Sequence, residues 1–236
     1  MKIRDIDTVL INSPGRKWTI VRVFTDEGIV GLGEATYSNK EPVVCAAIEH
    51  LKEGLIGEDP ARIEFLWHKI YRISSHSGIW RMTGPVWMSA MSGIDQALWD
   101  IKGKVANMSV VDLLGGQFRD RVEVYTHFYG ATPEESAKMA REKVEQGYTA
   151  LKSSTRASSS RMFDQYADDG NPKETAEHYA AAREAVGPDV KLLIDCHGRF
   201  TVSACVRLAR ALEPYDLYVF EDPVPPEDLS AYPKVR

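Results

Sequence analysis

The sequence predicts two architectures in succession, an α+β unit followed by an α/β unit of parallel strands with helices outside. Three observations carry this. The first 35 residues hold three strand-like runs with a turn at Asp26-Glu27-Gly28, the pattern of an antiparallel meander. Residues 41–106 then carry apolar side chains at helical spacing. Beyond residue 120, short apolar runs alternate with helical segments about one βα unit apart, which calls for a parallel sheet. The change of pattern falls at 115–120, giving expected domains of 1–117 and 118–236.

Strands are expected at 2–11, 18–25 (WTIVRVFT) and 29–35 (IVGLGEA). Gly31 and Gly33 serve a close-packed strand and not a phosphate loop, because no helix follows G-L-G. A helix over 41–54 opens with Glu41-Pro42, a good first turn. One over 60–72 aligns Ile63, Leu66, Trp67 and Ile70. The Gly/Pro/Ser-rich stretch 74–87 is expected as a loop. A long helix over 88–106 buries Met91, Ile94, Leu98, Ile101 and Val105, and Leu113-Leu114-Gly115-Gly116 stops the helical region. Then follow a strand at 122–126, a helix at 133–146, a strand at 150–152 and a polar loop at 153–172. A helix at 172–186, a strand at 191–195 (KLLID), a helix at 201–212 and a strand at 217–221 complete the pattern.

The chain has 236 residues, 44% hydrophobic and 27% charged, an ordinary globular composition with enough apolar residues for a core. A net charge of −5 argues against a nucleic-acid or anionic-membrane surface. The opening MKIRDIDTVL has no apolar signal segment, and no run is long enough to span a membrane. The three cysteines include no C-x-x-C pair, which speaks against a disulfide framework or structural zinc. A cytoplasmic protein with neither nucleic-acid nor membrane partner is expected.

In parallel βα architectures, reactive groups gather at the carboxyl ends of strands. Those ends here are His127, Lys152, Asp195 and Glu221, with His197 two residues beyond Asp195. Asp195 and Glu221 are one βα repeat apart, so adjacent strands bring both carboxylates to one mouth. Two such acids either flank a hard cation such as Mg²⁺ or simply cap the helices that follow. His197 in D-C-H-G-R shares the direction of Asp195 and is either a general acid or base or a loop histidine. Lys152 is either a site for a substrate carboxylate or a surface lysine.

Taken together, these residues resemble the enolase superfamily in its mandelate racemase/muconate lactonizing branch. The resemblance rests on SGIDQALWDIKGK (92–104), LLGG (113–116), KSS (152–154), DCHGR (195–199) and FEDP (220–223), in that order, and it covers the whole chain. It implies an α+β capping domain and a (β/α)-barrel, of which four βα units are present. It implies Mg²⁺ held by Asp195 and Glu221, and proton abstraction beside a substrate carboxylate. A histidine two residues after the first ligand is similar to the acid-sugar dehydratases of the galactonate and mannonate types. There it protonates the departing 3-hydroxyl, which makes His197 the general acid. V-Y-T-H (124–127) and Asn39 resemble substrate-facing positions of the mannonate type, so His127, Asn39 and Lys152 are the expected substrate contacts.

The mannonate type carries Arg where this chain has Lys152, and Tyr166 is the candidate for its loop tyrosine. The Lys-x-Lys of the racemases is missing because Ser154 stands at its second position. Segments 12–17 and 74–87, with His76, Trp80 and Arg81, are expected to cover substrate. A full barrel has eight units, so the third ligand and the general base are expected beyond residue 236, in a longer product of which this chain is a fragment. The leading expectation is Mg²⁺-dependent dehydration of an aldonic acid such as galactonate, gluconate or mannonate by a homo-oligomer. The alternatives are a racemase or epimerase, and a non-catalytic fragment.

Overall fold

The computed structural model describes residues 1–72, 84–155, 171–227 and 229–235. The chain divides into two units, Met1–Asp120 and Arg121–Arg236. The segments around His76, Trp80, Arg81 and Tyr166 lie outside the described residues.

In the first unit, β1 (Ile3–Ser13), β2 (Arg16–Thr25) and β3 (Val30–Glu34) form an antiparallel sheet in that order. The first hairpin runs further than expected, to the pair Ser13↔Arg16, because Pro14-Gly15 closes it in two residues with Gly15 at φ 77°. Along β2 the period of two buries Thr19, Val21, Val23 and Thr25. The sheet packs on α1 (Glu41–Lys52), α2 (Ile63–Arg72) and α3 (Pro85–Ala106), and a short α4 (Val110–Leu113), not anticipated, follows. Ile6 and Val21 share one core with Ile48, Leu66, Met91 and Ile94.

Helix α3 starts three residues earlier than expected. Pro85, which on sequence suggests a loop, is a helix opener here, since its missing N–H would have had no partner in the first turn. Val105, expected in the core, is 56% exposed. Lys104 donates to the carbonyl of Val30, the first residue of β3, so position 105 has run past the sheet.

The contact between α3 and β3 explains two glycines. A Cβ on Gly31 would stand 2.1 Å from the carbonyl oxygen of Ala97, and one on Gly33 would stand 1.9 Å from that of Gly93. The helix also closes the outer edge of β3. Asp100 Oδ2 accepts from the Leu32 N–H at 2.8 Å, Gln96 Oε1 accepts from that of Glu34 at 3.1 Å, and Gln96 Nε2 donates to the Glu34 carbonyl at 3.1 Å. Gln96, Asp100 and Lys104 recur every four residues and so share one helix face. The SGIDQALWDIKGK motif is thus in large part an edge-sealing device.

In the second unit, β4 (Thr126–His127), β5 (Ala150–Ser154), β6 (Lys191–Asp195) and β7 (Leu217–Glu221) form a parallel sheet in chain order. Helices α5 (Pro133–Glu145), α6 (Pro172–Val186) and α7 (Val202–Leu212) connect them, and α8 (Tyr232–Val235) follows. Leu151, Leu192 and Ile194 pack with Phe128, Tyr179 and Leu208. Thr132 and Thr201 cap α5 and α7 by accepting backbone N–H bonds from Glu135 and Ala204. The strand expected at 122–126 is corrected. Only Thr126 and His127 pair with β5, while Val122 and Val124 are 71% and 60% exposed. The preceding stretch is tied down by side chains instead: Glu123 accepts from Thr149 Oγ1 at 3.0 Å and from Lys191 Nζ at 2.7 Å.

Candidate active site

The strand ends of the second unit bring one base and three acids together. Asp195 and Glu221 are direct register partners across β6 and β7. Lys152, on β5, is 5% exposed. Its Nζ lies 3.1 Å from Asp195 Oδ2 and 3.0 Å from Glu221 Oε2, so one ammonium group bridges both carboxylates. It also sits 4.8 Å from the centre of the Tyr125 ring. Burial works to lower the Lys152 pKa, but hydrogen bonds to Tyr125, Glu221 and Asp195 outweigh it and hold the ammonium well above the ordinary lysine range. Burial works to raise the Asp195 carboxyl, yet Lys152 and the His197 backbone N–H hold it below the ordinary aspartate range.

The chain leaves β6 in an unusual conformation. His197 has φ 55° and Gly198 φ 64°, two consecutive left-handed residues. The His197 N–H donates to Asp195 Oδ1 at 3.0 Å and the Gly198 N–H to the Asp222 carbonyl at 2.8 Å. The His197 side chain is 57% exposed, with Nε2 3.5 Å from Asp195 Oδ2.

His127 is the register partner of Lys152. Its ring stacks on Tyr129 at 5.5 Å and meets the edge of Tyr125 at 5.7 Å. Partial burial, and then the charge of Lys152, lower its pKa below the ordinary histidine value and favour the neutral ring. Lys152, Asp195, Glu221, His197 and His127 therefore belong to the strand ends of one sheet. Asn39 belongs to the first unit, at φ 63°, beside a polar groove lined by Asn12, Ser13, Arg16 and Lys17. Sequence reasoning gives Tyr125 a packing role at the rim and misses Tyr129 as a partner of the site. The signal is present, since residues 125, 127 and 129 of an extended segment point the same way.

The donor set suits a hard cation. Carboxylate oxygens of Asp195, Glu221 and Asp222 all lie within 4.8 Å of one another, and a single positive centre already reaches two of these acids. Asp222 adds an exposed third acid beside the expected pair.

The comparisons with known proteins agree with this architecture. Residues 9–115 match the family model of the mandelate racemase/muconate lactonizing enzyme N-terminal domain, and residues 135–236 match the enolase C-terminal domain-like model. The chain belongs to the enolase superfamily. Within it, the amino-terminal match and the relatives place the chain in the mandelate racemase/muconate lactonizing branch, among proteins like the acid-sugar dehydratases. A D-mannonate dehydratase of a Sphingomonas species is 39% identical over 97% of this chain and 60% of its own length. A D-galactonate dehydratase family member of Halomonas elongata is 38% identical over the whole of this chain and 62% of its own. The crystal structure of an enolase from Pantoea ananatis with bound D-gluconate and Mg superposes with a TM-score of 0.85 at 35% identity, covering all of this chain and 63% of that one. The chain thus spans about 60% of the length of the curated relatives it matches. No helix among the described residues is long and apolar enough to cross a membrane.

Proposed function

We propose that this chain carries the first part of a metal-dependent hydro-lyase acting on an aldonic acid of the galactonate, gluconate or mannonate type. The observation that carries the reading is the convergence of Lys152, Asp195 and Glu221 at adjacent strand ends, with His197 two residues beyond Asp195. In this reading residues 1–117 are the cap and 118–236 the catalytic part, the protein is a cytoplasmic homo-oligomer, and Asp195 and Glu221 hold Mg²⁺. When bound, the ion supplies positive charge that stabilises an enediolate.

The chain's own residues take further roles. Lys152 meets the substrate carboxylate with a fixed positive charge, while His127 and Asn39 contact the hydroxylated chain. After the C2 proton is removed, the C3–O bond breaks. His197 gives its proton to the departing hydroxyl, which leaves as water, and the resulting enol becomes a 2-keto-3-deoxy acid. The base that takes the C2 proton is not assigned to a residue of this chain.

The test is a panel of aldonates with Mg²⁺, given to the complete protein of which this chain would be the first part and read by keto-deoxy acid formation. Turnover that EDTA abolishes is expected, and His197→Asn should abolish dehydration while metal binding persists. Absence of turnover across the panel overturns the reading. Solvent deuterium entering recovered substrate without keto acid would replace it with a racemase.

A further inference from the structure

Lys152 engages every oxygen but one of the two strand-end acids. Its Nζ lies 3.1 Å from Asp195 Oδ2, 3.3 Å from Glu221 Oε1 and 3.0 Å from Glu221 Oε2. The remaining oxygen, Asp195 Oδ1, accepts from the His197 backbone N–H at 3.0 Å. The sheet fixes this arrangement. Ser154 pairs with Asp195, and Asp195 with Glu221, across β5, β6 and β7. Lys152 stands two residues before Ser154 on the same face of β5, so its side chain runs into that row. Among the described residues, no other lysine or arginine forms an ion pair with either acid.

We propose that Lys152 is a built-in rival of the divalent cation, an ammonium that sets the affinity of Asp195 and Glu221 for the ion by holding the oxygens it needs. This rests on the reading of the two acids as metal ligands. A doubly charged ion on these oxygens meets the ammonium at short range. Lys152 is 5% exposed, so water screens that repulsion poorly. The ion therefore enters as Nζ moves off the acids. Tyr125 offers the displaced ammonium a place, since its ring centre lies 4.8 Å from Nζ. Without the ammonium, two uncompensated carboxylates face each other, which is a stronger site for a hard dication. A lysine in this position keeps the acids together and at the same time lowers their affinity for the ion.

The experiment titrates Mn²⁺ into the complete protein of which this chain would be the first part, without substrate, and reads the free ion by electron paramagnetic resonance. The wild type is expected to bind an ion that Asp195→Asn loses. Lys152→Met is expected to bind it about tenfold more tightly, and Lys152→Arg, which keeps the charge, within about threefold of wild type. An affinity in Lys152→Met equal to or below that of wild type overturns the proposal and leaves the metal reading standing. Equal tightening in Lys152→Arg does the same, because the charge is then not the cause. Binding in neither wild type nor Lys152→Met, or an ion that Asp195→Asn retains, overturns the metal reading and the proposal with it. Binding that appears only in Lys152→Met upholds both. Should Lys152→Met not fold, the wild type alone decides. Its Lys152, followed by peptide mass after exposure to an amine reagent, is expected to label several-fold faster in saturating Mg²⁺ than in EDTA, and an unchanged rate overturns the proposal.

Discussion

Lys152 neutralises two carboxylates that would otherwise face each other across a parallel pair of strands. Lys152→Met leaves them opposed and only partly hydrated. In EDTA the variant should lose about 2 kcal/mol in urea unfolding, between the ranges for exposed and buried ion pairs. Unchanged stability would show that the ammonium is not needed to hold the acids. The cysteines give a second residue-level expectation. Cys196 and Cys205 are buried and Cys45 is partly exposed, so a thiol reagent should modify Cys45 in the native chain and the other two only on unfolding. Burial pushes the Cys205 thiol up from 9.0 to about 11. The unfolded chain releases that proton first, so this contribution to stability is complete below pH 9 and is lost as pH rises toward 11. Cys205→Ala should flatten the alkaline decline in melting temperature, and an unchanged slope would refute that origin.

At the scale of elements, the α3–β3 seam is the most sharply constrained contact. Gly33→Ala places a methyl carbon within bonding distance of the Gly93 carbonyl oxygen, so helix and strand must separate. A loss of about 3 kcal/mol is expected, read by denaturant unfolding. A neutral substitution would mean that the seam is looser than described. The elements themselves are largely legible in the sequence, because periods of 2 and 3.6 survive in single segments such as 18–25 and 63–72. What escapes depends on partners remote in the chain. β4 shrinks to two residues because only Thr126 and His127 find ladder partners on β5. Val105 leaves the core because the sheet edge ends beside Lys104. Strand-end reasoning places Asp195 and Glu221 on one rim, since register alone decides that. It cannot show that Lys152 spans them.

For the molecule as a whole, each unit has its own core, and Arg183 shows how the second is held at the end away from the site. Its guanidinium donates to the carbonyls of Tyr215, Gly187, Val190 and Asp216 at 2.6–3.1 Å, and reaches that of Pro188 at 3.4 Å. One side chain thus joins the loop before β6 to the loop before β7. Arg183→Met strands several acceptors and should cost about 3 kcal/mol. The loss should fall on the 121–236 unit alone, seen by hydrogen exchange as faster opening there with residues 1–120 unchanged. Uniformly faster exchange would show instead that the two units unfold as one.

The sealed edge of β3 has a consequence for self-assembly. A β-sheet grows by recruiting foreign strands to its free edge, and here that route is blocked by side chains of α3 rather than by another strand. An invading strand would first have to pull a 22-residue helix away from its glycine seat. The amino-terminal sheet can therefore be extended only past β1, which makes polymerisation of this unit a one-sided process.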